Sequence, residues 1–213
     1  MRNLLVGALL ACVASSASAQ QPPEPRGYIG ASYGVSRYDI DSCNNALPPG
    51  FSCDESGQAW RVQAGYHVLP WLAIEAAYLH FGEANLPGVL LNPPPNTTPV
   101  PSQGDARTFG GVISAVGRVP LGPASLFAKL GYGAITAKFV GSAAVQDNTT
   151  GAITFFSSQA RETKGQFVYG VGATVNFAPT WHARFDWDRT QAQDNINPKY
   201  DVDMYTLGVG YRF

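Results

Sequence analysis

Along most of this chain, apolar residues alternate with small or polar ones at a period of two. That period marks strands whose two faces meet unlike surroundings. The closing segment shows it best: Tyr205, Leu207, Val209, Tyr211 and Phe213 share one face, and Met204, Thr206, Gly208, Gly210 and Arg212 the other. Upstream, the pattern predicts seven more strands. Residues 27–39 set Ile29, Ala31, Tyr33 and Val35 against Tyr28, Gly30, Ser32, Gly34 and Ser36. Residues 57–68 set Trp60, Val62, Ala64, Tyr66 and Val68 against Arg61, Gln63, Gly65 and His67. Residues 71–81 oppose Leu72, Ile74, Ala76 and Tyr78 to Ala73, Glu75 and Ala77. The fourth strand, 106–119, is apolar on both faces, and Ser114, Val116 and Arg118 are assigned to the inner one. Residues 124–140 carry Leu126, Ala128, Leu130, Tyr132 and Ala134 outward, with Phe127, Lys129, Gly131 and Gly133 inward. In 165–177 the outward set is Phe167, Tyr169, Val171, Ala173, Val175 and Phe177. In 181–191 Trp181, Ala183, Phe185 and Trp187 face out, while His182, Arg184, Asp186 and Asp188 face in.

The connections alternate in length. Residues 40–56, 82–105, 141–164 and 192–199 read as long loops, and 69–70, 120–123 and 178–180 as tight turns. The second loop holds Pro87, Pro93, Pro94, Pro95, Pro99 and Pro101, none of which can donate to a strand ladder. Long and short connections in alternation fit a membrane barrel with short periplasmic turns and long external loops. Each strand supplies the roughly 9–11 residues of a tilted crossing, and closure leaves no edge for lipid to satisfy. A secreted soluble sandwich is the alternative, but it has no need of tryptophan and tyrosine on the outer face of strand after strand. The predicted fold is all-β: an eight-stranded antiparallel transmembrane β-barrel over residues 27–213.

Composition agrees with one such domain. Of 213 residues only 14% are charged, against roughly 25% in soluble proteins, while glycines number 23 and aromatics reach 12%. Residues 1–19 read as a cleaved signal peptide: Arg2, an apolar run from Leu4 to Val13, then Ala17-Ser18-Ala19 before the cut. Acylation at Cys12 is a rival reading of the same segment. Residues 20–26, with three prolines, form a short periplasmic leader. Of 14 basic residues Arg2 leaves with the signal, so 13 face 15 acidic ones; that balance argues against a nucleic-acid partner. Cys43 and Cys53 remain and suit a disulfide in an oxidising compartment, constraining the unfolded chain by roughly 2–3 kcal/mol.

In order and spacing, several motifs resemble the OmpA-like family of eight-stranded bacterial outer-membrane barrels. They are Gly27-Tyr28-Ile29-Gly30, Ala73-Ile74-Glu75-Ala76-Ala77-Tyr78 with Phe81-Gly82, and Val119-Pro120-Leu121 followed by Ser125-Leu126-Phe127-Ala128-Lys129-Leu130-Gly131. Gly170-Val171-Gly172 and the closing Gly208-Val209-Gly210-Tyr211-Arg212-Phe213 complete the set. The resemblance implies a monomer in the outer membrane, inserted by the barrel assembly machinery, which reads the aromatic last strand; Tyr211 and Phe213 would be that signal. It also implies that Glu75 and Lys129 pair across the lumen. Because the sequence ends at the closing strand, the peptidoglycan-binding domain of the larger members is not expected.

Four kinds of chemistry are open. Inward charges at Arg61, Glu75, Lys129, Arg184, Asp186 and Asp188, with Arg118 and Arg212 as further candidates, either fill the lumen or line a polar path for small solutes. Outward cations Arg37, Arg107, Lys138 and Arg189 fall at the loop ends of their strands, where lipopolysaccharide phosphates lie. There they are either lipid contacts or solvated rim charge. Acyl hydrolysis needs a serine, a histidine base and an orienting carboxylate together. Of His67, His80 and His182 only His80 lies near the outside, with no serine or carboxylate expected beside it on its strand face. No catalytic, cofactor or metal site is expected. The loops are candidates for adhesion or ligand recognition; Asn96-Thr97-Thr98 and Asn148-Thr149-Thr150 match a glycosylation acceptor by chance. The sequence therefore supports an envelope-integrity role first, loop recognition second and a small pore third.

Overall fold

The computed structural model describes residues 26–39, 55–87, 94–100, 103–192 and 200–213. Their regular elements are nine strands: β1 (Gly27–Asp39), β2 (Ser56–Leu69), β3 (Leu72–Pro87), β4 (Thr97–Val100), β5 (Gln103–Leu121), β6 (Ala124–Asp147), β7 (Ile153–Asn176), β8 (Trp181–Ala192) and β9 (Tyr200–Arg212). Eight of them close a ring in the order β6-β5-β3-β2-β1-β9-β8-β7, with β7 returning to β6. All neighbours are antiparallel. First and last strands seal the sheet from Tyr28↔Arg212 to Asp39↔Asp201. Beyond that register the Gly27 amide donates to the Phe213 carbonyl and the Phe213 amide to the Gly27 carbonyl, each at 2.9 Å.

The alternation read in the sequence is the alternation of the wall. Its result is a protein turned inside out: Leu207 is 66% exposed, whereas Asp186 is 0% exposed. A belt of exposed Ile, Leu, Val, Phe, Tyr and Trp runs round the barrel, which water would not tolerate and a bilayer matches. The connections at 70–71, 122–123 and 177–180 gather at one end with Phe213. Short turns of this kind mark the periplasmic side.

The predicted eight crossings are present, with Ser114 and Val116 of β5 buried and Arg118 half-buried at the inner mouth. Two predicted loops are corrected. Residues 141–164 are not a loop: β6 and β7 continue beyond the membrane and pair as far as Gln146↔Ile153. Asp147 caps the turn by accepting from the Thr149 and Thr150 amides at 2.7 and 2.9 Å, and these bonds hold its carboxyl below the ordinary aspartate value. The 82–105 connection is partly strand as well. β3 runs to Pro87, β5 starts at Gln103, and β4, carrying Pro99, pairs with residues 144–147 of β6. Proline suits these places, at a strand end and in a short edge strand. The signal peptide, the leader before Arg26, and Cys43 and Cys53 lie outside the described residues.

Candidate functional site

Four strands bring six charges to one level of the lumen: Arg61 from β2, Glu75 from β3, Lys129 from β6, and Arg184, Asp186 and Asp188 from β8. An eight-stranded barrel is only wide enough for side chains to fill, so these groups must meet. Glu75 Oε1 lies 2.7 Å from Arg61 and its Oε2 2.6 Å from Arg184. Asp186 binds Arg61, Lys129 and Arg184 at 2.8, 2.6 and 2.8 Å. Asp188 binds Arg61 at 2.7 Å and Lys129 at 2.8 Å. Three cations thus face three carboxylates, and the group is neutral.

Neighbours complete the network. Tyr28 donates its hydroxyl to Glu75 at 2.7 Å, and Arg61 Nε donates to Gln63 at 3.2 Å. The Arg184 guanidinium lies over the Phe127 ring, 4.4 Å from its centroid. Space comes from glycine: a Cβ on Gly170 would stand 3.0 Å from Asp188 Oδ1 and from Lys129 Cε, and would strike the Trp187 carbonyl. Every charged residue proposed for the lumen is in the network except Arg118 and Arg212. Those two bind turn carbonyls instead, of Pro70 at 2.8 Å and Pro179 at 3.1 Å. The parts taken by Tyr28 and Gln63 escaped the sequence reading, although their inward parity was visible.

Toward the long connections the lumen is filled by an apolar layer containing Tyr38, Leu79, Phe81, Val202 and Met204. Two plugs therefore lie in series, one charged and one oily.

On the outside, Arg37, Arg107, Lys138 and Arg189 all lie on the lipid-facing side near its outer rim, but in different company. Arg189 is held by Asp203 at 2.5 Å, which also accepts from Trp187 at 3.0 Å. Arg37 stands opposite Asp203 in the β1–β9 register. Across the barrel, Arg107 is directly opposite Lys138, and Lys138 directly opposite Arg161. Beside this row of three cations on β5, β6 and β7, Glu83 is paired with Arg107, and Asp105 stands two residues farther along the same face of β5. Arg161 was missed because it falls in the stretch read as loop.

His80 also needs correction. The ladder slips between His80 and Glu83, at Gly82 with φ 80°, and the extra residue turns Glu83 outward. His80, Glu83 and Ser56 consequently line one outer groove. They do not form a catalytic set. His80 Nδ1 accepts from the Gly82 amide at 3.1 Å, so a neutral ring carries its proton on Nε2 and offers no second nitrogen as a base. Its ring is stacked on Trp60 with centroids 5.3 Å apart, and Glu83 is engaged by Arg107. Among the described residues no three His, Cys, Asp or Glu side chains are grouped to hold a metal ion.

A closed antiparallel ring of eight strands with an apolar exterior and a charged, filled interior defines an outer-membrane β-barrel. Residues 5–213 match the family described as "Outer membrane protein beta-barrel domain", and the chain belongs to that family. It is an integral protein of the bacterial outer membrane. Among solved structures it is similar to neisserial surface protein A, at 13% identity over 88% of this chain and 97% of that one, TM-score 0.51. It is also similar to the outer-membrane protein OprG of Pseudomonas aeruginosa, at 14% identity over 89% and 97%, TM-score 0.51. The attachment invasion locus protein of Yersinia pestis matches at 19% identity over 89% and 99%, TM-score 0.48. At these identities the likeness is one of fold. No curated protein sequence matches the chain.

Proposed function

We propose that this barrel is a non-enzymatic, non-conducting monomer that reinforces the outer membrane by holding phosphates of outer-leaflet lipopolysaccharide. The row Arg107–Lys138–Arg161 carries the reading. Like charges directly opposite on paired strands destabilise a sheet, and an anion between them reverses the sign. Below the row the outward positions descend through Phe109, Gly111 and Ala134 to Ile113, Tyr132 and Phe167, so the cations stand at the top of the apolar belt. Guanidinium forks suit phosphate oxygens in charge-assisted pairs. This narrows the expectation of four scattered contacts: Lys138 is joined by Arg161, Arg107 takes part while sharing its charge with Glu83, and Arg37 and Arg189 face Asp203 instead.

The test is lipopolysaccharide binding by the folded barrel in micelles. Replacing Arg107, Lys138 and Arg161 together by glutamine should weaken binding roughly tenfold or more, while Arg189→Gln has a much smaller effect. The triple variant should also fail to restore detergent resistance to a deletion strain. Unchanged lipopolysaccharide binding by the triple variant would remove this reading.

A second reading, surface recognition, is favoured by a different observation. Gln146 and Ile153 pair eight residues past Lys138, roughly 26 Å farther along a strand, well beyond the apolar belt. There Ile153, Phe155 and Phe156 are exposed, Phe155 to 75%. Apolar side chains beyond the reach of lipid make a contact surface. Phe155→Ser with Phe156→Ser should reduce attachment of expressing cells to host or matrix surfaces without changing lipopolysaccharide binding. Attachment at the unaltered level would dismiss it.

A further inference from the structure

Beneath the charged plug the lumen holds a small cavity of about 50 Å³ that opens at the short-turn end. One water needs about 10–15 Å³ of such space, so the cavity takes a few waters or one small polyatomic ion. Its lining shares Arg184 and Tyr28 with the plug and differs elsewhere. Arg118, Arg212, His67 and His182 converge on it, with hydroxyl and amide groups from Thr174 and Asn176, and none of the lining residues is acidic. The plug above is neutral by itself, its three cations matched by its own three carboxylates. It has no surplus negative charge to lend. Turn carbonyls fix the arginine positions, through Arg118 Nε and an Arg212 terminal nitrogen. The clearest pointer is His182. It is only 5% exposed, yet its Nδ1 makes no hydrogen bond among the described residues.

We infer that this inner mouth binds a small water-soluble oxyanion, a phosphate or carboxylate group entering from the periplasm. Guanidinium forks match the oxygens of such groups, and imidazole, hydroxyl and carboxamide supply further donors. A partly dehydrated mouth strengthens each attraction relative to bulk water. The same chemistry could be offered by a phospholipid headgroup of the inner leaflet. The strands wall the cavity off from lipid, however, so the soluble anion is its occupant.

The experiment uses folded protein in zwitterionic, phosphate-free detergent. It is titrated separately with inorganic phosphate, acetate and a short-chain phosphatidic acid while arginine side-chain NMR signals are followed. Saturable shifts of Arg118 and Arg212 with a soluble anion are expected. Binding should be roughly tenfold weaker in Arg118→Gln and in Arg212→Gln. It should be unchanged in the Arg107→Gln, Lys138→Gln, Arg161→Gln variant, whose cations lie outside. If neither arginine variant folds, Asn176→Ala, which removes no charge, serves in their place: weaker binding supports the site and undiminished binding overturns it. The inference also fails if the unaltered protein shows no saturable response to phosphate or acetate. It fails equally if folded arginine variants bind as before, or if only the lipid titrates.

Discussion

Glu75 is the residue on which the lumen depends most visibly. One carboxylate accepts from Arg61, Arg184 and Tyr28, and it is 1% exposed. Removing its charge leaves the plug with an unmatched buried cation. Breaking a buried ion pair from one side typically costs about 3–5 kcal/mol, because the partner stays buried without compensation. Glu75→Gln keeps the shape and one acceptor oxygen, but its NH2 faces guanidinium or phenol donors, so lost charge and lost acceptance act together. Urea unfolding from lipid vesicles should place it about 3–5 kcal/mol below the unaltered barrel; equal stability would mean that the lumen is wetter than its geometry implies. Around this centre the small residues are as necessary as the charged ones. Gly170 leaves the gap that Lys129 and Asp188 fill, and a side chain there would displace both.

At the scale of the strand, legibility followed the solvent. Where one face meets lipid and the other a packed lumen, as in β8 and β9, parity alone placed Tyr205, Leu207, Val209, Tyr211 and Phe213 outward and Arg184, Asp186 and Asp188 inward. Beyond the membrane both faces of β7 meet water from Ile153 to Gln159. Sequences such as Ser157-Ser158-Gln159 then carry no contrast, and a paired hairpin looked like a loop. Arg161 was lost with it. The slip at Gly82 was equally hidden, because one inserted residue inverts parity without altering composition, and Glu83, read as loop, stands on the outer face of β3. Tyr28 was placed inward, but its bond to Glu75 depends on ring closure. That closure is where β9 can be tested. Phe213 supplies both hydrogen bonds to Gly27 and an outward ring 65% exposed. If Tyr211 and Phe213 are also the signal read by the assembly machinery, deleting Phe213 should sharply lower the amount of barrel in outer-membrane fractions. Normal levels would refute that role.

The whole molecule is a tube stopped twice. A small solute entering from outside first meets Tyr38, Leu79, Phe81, Val202 and Met204, a layer without charge. It then meets six ionised groups already bonded to one another. The two barriers fail for different reasons. An oily layer resists ions because it cannot solvate them, and a neutral ion network resists them because entry means separating paired charges. Opening one does not open the other. Lys129→Ala would free part of the charged level and leave the apolar level intact, so planar-bilayer recordings should be silent for this variant as for the unaltered protein. Only when the apolar level is also cut back, as in Lys129→Ala with Leu79→Ser and Met204→Ser, should steady conductance emerge. Channel events from the pure unaltered barrel would show that the stops move together, and the small-pore reading would then displace the structural one.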